Sequence, residues 1–347
     1  MGNFIQLQHR KIGYSYPPLI IAEIGINHNG DINIAKKMVD SAKSAGIEII
    51  KHQTHIVDCE MSPLAKTTIP ANATESIYDI IKSCMLSEEE EFELKRYTES
   101  LGMIFISTPF SREAADRLEN FGVCAYKIGS GEMTNYPLLK HIASFKKPII
   151  LSTGMNDLQT IQEAIKIFQE YQNPLALLHT TNLYPTPPHL VRLGAMQEMM
   201  QTFPDIPIGL SDHTLNNNAS KAALGMGACI IERHFTDHKN RQGPDISCSM
   251  DEAEAKDLVE SAKEIFQMRG GKKEATKEEQ VTIDFAFATC VSTQNIKKGE
   301  KITSKNLWVK RPGIGKIQAR DYEKILGKTA KIDIPIHTHI TWEMIDA

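Results

Sequence analysis

Eight short apolar runs, each followed by a stretch with helical spacing, constrain the fold of this chain more than any other feature. The runs cover residues 19–25, 47–54, 103–110, 125–130, 148–155, 175–184, 206–214 and 229–236. Most are apolar at consecutive positions, as expected for strands covered on both faces. Between them, residues 32–45 place Ile34, Ala35, Met38, Val39 and Ala42 on one helical face, and 88–101, 112–121, 157–171 and 215–226 share that spacing. Eight β-then-α units predict an α/β protein, a closed (β/α)8 TIM barrel. An open doubly wound sheet is the other arrangement, but no GxGxxG turn follows the first run.

The last run passes directly into charge. Cys229-Ile230-Ile231 is followed by Glu232, Arg233, His234, Asp237 and His238, then by a Gly243-Pro244-Asp245 turn. With side chains alternating along a strand, Glu232 and His234 share one face. His234 is therefore a candidate metal ligand and Asp245 a candidate substrate contact, against the plainer reading of a solvated loop.

The segment between the second and third runs is long. It contains Pro63, Pro70 and an acidic Ser87-Glu88-Glu89-Glu90, which reads as a helix N-terminus because glutamates there suit the helix dipole. After the eighth unit, a helix from Glu252 to about Met268 leads into a polar, charged stretch. The expected division is a barrel over 1–268, a linker over 269–280 and a small β-rich module over 281–347. Within that module, Ile296-Lys-Lys-Gly299-Glu-Lys-Ile302 is echoed by Ile334-Pro-Ile-His337-Thr-His-Ile340, which suggests two related turns. His337 stands where the first turn has glycine, so the geometry of the second turn is open.

The net charge of −4, with no long basic block, argues against a dedicated nucleic-acid binder. No apolar run reaches membrane-spanning length and the N-terminus has no continuous apolar leader, so a cytoplasmic protein is expected. Met1-Gly2 lacks the Ser or Thr that a myristoylation signal needs. The six cysteines form no CxxC pair and read as reduced, mostly structural thiols.

Barrel enzymes place their chemistry at the C-terminal ends of the strands. Here every one of those ends is polar. In order they deliver Glu23; Lys51 and Gln53; Thr108 and Phe110; Lys127, Ser130 and Glu132; Ser152; Asn182 and Tyr184; Ser211 and His213; and Glu232 and His234. Lys51 and Lys127 sit inside apolar runs, and a buried ammonium is costly unless it meets an anion. Either each lysine pairs with a barrel glutamate such as Glu23 or Glu132, or the pair forms a phosphate or carboxylate pocket with the neighbouring hydroxyls. The full set favours the pocket. His213 and His234, from adjacent strands, suit Mn2+, Fe2+, Co2+ or Zn2+ completed by water and substrate oxygens.

The stretches IAEIGINHNGD, KHQTHI, FISTPFS, YKIGSGE, LSTGMN, LHTTNLYPTP, GLSDHT and ERHFTD resemble the bacterial N-acetylneuraminate (sialic acid) synthases, in order along the whole barrel. The tail, with DFAFAT, NLWVKRPGIG and ILGK, resembles their SAF or antifreeze-like domain. The resemblance implies a metal-dependent condensation of phosphoenolpyruvate, N-acetylmannosamine and water to N-acetylneuraminate and phosphate, with C–O cleavage. Carried over by position, it makes His213 and His234 the metal ligands, with Mn2+ preferred over Mg2+ or Co2+. Phosphoenolpyruvate would meet Lys51, Thr108, Lys127, Ser130, Ser152, Asn182 and Ser211. The sugar would meet Gln53, Phe110, Tyr184 and Asp245. Glu23 becomes the base and Glu132 a second catalytic acid. The resemblance also implies a domain-swapped homodimer, in which Arg311 and Phe285 of one subunit reach the sugar in its partner. It leaves Glu232 without a role.

KHQT on the second strand is closer to the N-acetylneuraminate branch than to the legionaminate or pseudaminate branches, which act on 2,4-diacetamido-hexoses. Two readings of other kinds are a Schiff-base aldolase using Lys51 or Lys127 and a carbohydrate- or ice-binding protein. The latter rests only on the tail and does not explain eight polar strand ends.

Overall fold

The computed structural model describes residues 4–69, 74–243 and 245–346; Pro70 and Pro244 lie outside them. The chain divides into two compact units between Gly270 and Gly271. The first opens with an antiparallel hairpin, β1 (Phe4–Leu7) and β2 (Arg10–Gly13). Eight parallel strands follow: β3 (Leu19–Gly25), β4 (Ile49–Thr54), β5 (Ile104–Pro109), β6 (Tyr126–Ile128), β7 (Ile149–Ser152), β8 (Leu175–Thr180), β9 (Ile208–Asp212) and β10 (Ile230–His234). They form a closed barrel in sequence order, with β10 pairing β3. Each strand lies within one of the eight apolar runs, so the open-sheet alternative is set aside.

The helices between strands are α1 (Ile32–Ser44), α2 (Val57–Glu60), α3 (Ile77–Cys84), α4 (Glu88–Ser100), α5 (Arg112–Asn120), α6 (Tyr136–Ser144), α7 (Leu158–Glu170), α8 (Leu193–Thr202) and α9 (Asn218–Gly225), and α10 (Glu252–Met268) follows β10. Sequence-local rules explain several boundaries. Ser87 and Glu90 make a reciprocal capping box at the start of α4, which places the acidic run in its first turn. Asp251 and Glu254 do the same for α10. On α1, Ala35, Met38, Val39 and Ala42 are buried, as the spacing requires.

The barrel has two apolar layers. Ala22, Ile50, Phe105, Leu151 and Leu177 meet the helices. Ile21, Ile49, Ile106, Ile150 and Leu178 form an inner cluster joined by Ile5, Leu7 and Ile12 of the hairpin. The hairpin thus packs against the barrel's apolar interior, while the opposite, C-terminal end carries polar groups.

The second unit contains α11 (Gln280–Ala286), the antiparallel pair β11 (Thr289–Ser292) and β12 (Leu307–Lys310), and α12 (Tyr322–Ile325). The sequence echo is structural. Ile296 and Ile334 bridge each other, and Ile296, Ile302, Ile334 and Ile340 share one buried cluster. Gly299 and His337 both take the left-handed conformation, at φ of 86° and 65°. The second turn therefore keeps the geometry of the first with a side chain in place of glycine, at a local cost of roughly 1–2 kcal/mol.

Candidate active site

Strand register sets the site. β3 lies between β10 and β4, so Glu23 is flanked by His234 on one side and Lys51 on the other. Glu232 stands opposite Ser211 on β9. Alternation turns Glu232 and His234 inward. It sends the fully buried Arg233 outward, where it donates to Asn217 Oδ1 at 2.6 Å and to the carbonyl of Thr214 at 2.5 Å, tying β10 to the loop before α9.

The two lysines share a counter-ion. Glu232 Oε1 lies 3.3 Å from Lys51 Nζ and 3.6 Å from Lys127 Nζ, and accepts from Ser211 Oγ at 3.0 Å. Lys51 also approaches Glu23 at 2.7 Å, and Lys127 donates to Ser152 Oγ at 2.7 Å. Burial pushes the Lys51 ammonium down to about 7, partly opposed by Glu232. Lys127 is lowered for the same reason. Burial alone would raise the carboxyl of Glu232, but Lys127 and Lys51 outweigh it and hold the group at about 2. The lysines thus do meet barrel glutamates, with Glu232, not Glu132, as the second partner.

Glu23 sits beneath the cavity surface and reaches it through Lys51 and through Gln53, whose Nε2 donates to Glu23 Oε1 at 2.8 Å. The backbone leaves room for that carboxylate at Gly25. There φ is +47° and an added Cβ would lie 2.7 Å from Glu23 Oε1. A similar close approach occurs at Gly154, where a Cβ would meet Asn182 Oδ1 at 1.8 Å. The amide of Gly154 donates to Ser130 Oγ at 2.9 Å.

Most of these groups, though not Glu23, line one cavity of about 410 Å3 at the polar end of the barrel. It brings together Lys51, Gln53, Thr108, Phe110, Lys127, Ser130, Ser152, Asn182, Tyr184, Ser211, His213, His234 and Asp245 from the sequence-derived set. Glu132 is not among its lining residues. It lies in a short 3-10 turn, Ser130–Glu132, and accepts from Asn135 Nδ2 at 2.7 Å. Phe285, on α11, and Arg311, just after β12, belong to the second unit, and both are exposed there.

His213 and His234 stand with ring centroids 5.4 Å apart, and the Tyr184 ring lies against His213, tilted by 34°, with centroids 4.2 Å apart. Burial lowers both imidazoles, to about 4 and about 3, so both are neutral near pH 7. His213 Nδ1 donates to the carbonyl of Thr181 at 2.9 Å, which leaves Nε2 unprotonated and free to ligate. His234 Nδ1 is buried with no hydrogen-bond partner, 3.6 Å from Asp245 Oδ2. Neutral, oriented rings and an orphaned ring nitrogen fit a cation held by these two side chains. Among the described residues no group of three or more His, Cys, Asp or Glu converges as a metal cage, so the remaining positions would fall to water or substrate oxygens.

The NeuB family model matches residues 38–274. This chain belongs to the NeuB family. A SAF domain follows at residues 290–346. The chain is 40% identical over 321 residues to the N,N'-diacetyllegionaminic acid synthase of Campylobacter jejuni, covering 90% of this chain and 95% of the relative. It is 38% identical to the enzyme of that name from Legionella pneumophila, over 96% of both chains. A crystal structure of N-acetylneuraminic acid (sialic acid) synthetase from Leptospira borgpetersenii superposes with a TM-score of 0.75 at 31% identity, over 82% of this chain and 96% of that one. The chain is thus a NeuB-family, sialic-acid-type synthase carrying a SAF domain. All six cysteines are free thiols, and among the described residues no helix is long and apolar enough to cross a membrane.

Proposed function

We propose that the cavity binds phosphoenolpyruvate against Lys51 and Lys127 and condenses it with the open-chain aldehyde of an acetamido sugar. The supporting observation is the pair of buried lysines sharing Glu232 amid hydroxyl and amide groups. One of these, the Thr108 hydroxyl, is buried without a partner and can donate to an anion. Ser130, Ser152 and Ser211 complete the anion-facing set.

In this reading carbon 3 of phosphoenolpyruvate bonds to the aldehyde carbon. Water adds its oxygen at carbon 2 and passes a proton to Glu23. The bond from carbon 2 to the phosphate oxygen then breaks, the new hydroxyl at carbon 2 gives its proton to the departing phosphate and becomes a ketone oxygen, and the proton taken by Glu23 goes to the former aldehyde oxygen. A divalent cation on His213 and His234, Mn2+ by preference, would polarise the aldehyde. Gln53, Phe110, Tyr184 and Asp245 hold the sugar. A homodimer in which the SAF domain of a partner copy brings Arg311 and Phe285 to the sugar extends the same reading, as does a cytoplasmic location.

The sugar has two candidates. N-acetylmannosamine, giving N-acetylneuraminate, follows from the KHQT stretch. A 2,4-diacetamido-hexose fits the names of the Campylobacter and Legionella relatives about as well. The deciding experiment measures phosphate release from phosphoenolpyruvate with each sugar. Release that requires both substrates supports the condensation, and release without sugar, or none with either, refutes it.

Lys51 supplies a pH test. Its charge is complete well below about 7 and is lost as pH rises through that value. Phosphoenolpyruvate should therefore bind roughly tenfold more weakly at pH 8.5 than at pH 7, because the competent protonated form becomes scarce. Calorimetry without sugar reads this directly. A Lys51→Met variant should bind weakly with a flattened profile; an unchanged profile would remove Lys51 from the site.

A further inference from the structure

Behind the cavity wall, three buried ionisable groups form a chain that the condensation does not use. Lys51 and Gln53 line the cavity, so alternation turns His52 outward, where its ring lies by Phe105 of the apolar layer under the helices. His28, in the turn after β3, and Glu91, on α4, are buried beside it. Such groups are costly in an apolar layer unless they are bonded to one another.

One arrangement of hydrogens satisfies the chain. The amide of Gly30 donates to His28 Nδ1 at 3.2 Å, and burial lowers this imidazole to about 3, so the ring is neutral with its hydrogen on Nε2. His28 Nε2 therefore donates to His52 Nε2 at 3.1 Å, and His52 Nδ1 donates to Glu91 Oε1 at 3.1 Å. Glu91 also accepts from the Thr54 hydroxyl and from Arg117 Nη1 at 3.4 Å. The chain thus runs in one direction, from a loop amide to a buried carboxylate.

The loop it holds grips the site from the other side. Asn27, fully buried, donates from Nδ2 to the carbonyl of Phe235 at 2.8 Å and to Ser249 Oγ at 2.9 Å. Ser249 Oγ in turn donates to the carbonyl of Asp245 at 2.8 Å. Asn29 Nδ2 donates to the carbonyl of Gln242 at 2.7 Å. The stretch that leaves β10 and carries Asp245 is therefore fastened to the β3–α1 loop at Phe235, Gln242 and Ser249.

We propose that His28 and His52 are positioning residues: anchored on Glu91, they fix the β3–α1 loop, which through Asn27 sets Asp245 beside His234. The proposal rests on the condensation reading for the role of Asp245 toward the sugar. Asp245 Oδ2 stands 3.6 Å from His234 Nδ1. A displacement of about 1 Å at such a group can cost about 100-fold in rate.

The experiment uses the full-length enzyme. His28→Phe keeps a ring without hydrogen bonds, and His28→Gln returns an N–H near the Nε2 position. In His28→Phe, kcat/KM for whichever sugar the unaltered enzyme turns over, N-acetylmannosamine or a 2,4-diacetamido-hexose, should fall by about 10–100-fold. Phosphoenolpyruvate, measured by calorimetry without sugar, should bind with unchanged affinity. Hydrogen exchange should quicken about tenfold at the amides of Thr236 and Met250, which donate to the carbonyls of Met250 and His234, and stay unchanged in β7 and β8. His28→Gln should recover most of both effects. Should His28→Phe fail to fold, His52→Asn cuts the same link more gently, because it keeps a donor to Glu91 and is too short to reach His28; the same pattern is expected. Exchange that quickens equally throughout the barrel, an unchanged kcat/KM, or a His28→Gln variant no better than His28→Phe overturns the proposal while leaving the condensation standing. If the unaltered enzyme releases no phosphate with either sugar, the condensation falls. Exchange confined to the Asp245 stretch and reversed in His28→Gln then still supports the relay, and uniform exchange overturns it.

Discussion

Replacing Glu232 by Ala should destabilise the protein by about 3–5 kcal/mol, the scale expected when one partner of a buried ion pair is removed. The cause is specific to this carboxylate. It faces two ammonium groups, at 3.3 Å from Lys51 and 3.6 Å from Lys127. Without it Lys51 keeps Glu23, but Lys127 keeps only Ser152 and the carbonyl of Ile128.

The pH dependence follows from the two ionisations. The carboxyl of Glu232 is depressed from 4.5 to about 2, so its contribution is present above 4.5 and is lost as pH falls toward 2. Lys51 loses its proton through about 7, after which there is less charge for Glu232 to neutralise. The loss should therefore be largest between about pH 4.5 and 7 and smaller at pH 8.5. Urea unfolding of both proteins in chelator, at pH 5.5 and 8.5, checks this. An equal or larger loss at pH 8.5 would refute Glu232 as the lysines' counter-ion. Phosphoenolpyruvate binding should weaken as well, because both lysines would then favour their neutral forms.

Glu232 also marks the limit of what the sequence discloses. The barrel was legible because strands buried on both faces leave unbroken apolar runs, and each such run contains one observed strand. Most of the cavity lining was legible too, since a barrel puts its polar strand ends together. The pairing of Lys51 and Lys127 with one acid was not, because it depends on where the ring of strands closes. The alternation that placed Glu232 beside His234 was the available clue. Glu132 shows the converse, as a 3-10 turn directs its carboxylate to Asn135. The hairpin of β1 and β2 escaped notice because its strands are four residues each and only partly apolar.

His213→Ala should lower Mn2+ affinity by roughly 100-fold or more, since loss of a group that merely orients a ligand already costs about 10–100-fold. The argument starts from the ring itself. Thr181 fixes its tautomer, Tyr184 covers one face at 4.2 Å, and His234 stands 5.4 Å away with an orphaned buried nitrogen. A histidine kept for packing would need neither a free Nε2 nor a second neutral imidazole beside it. Titration of Mn2+ followed by electron paramagnetic resonance reads the site without turnover. A structural role alone predicts lower stability with unchanged Mn2+ binding, and that result would end the metal assignment. A ligand role predicts weak binding in both His213→Ala and His234→Ala. Their combination should be little worse than either alone, because one imidazole, with no third protein ligand converging among the described residues, holds a divalent cation poorly.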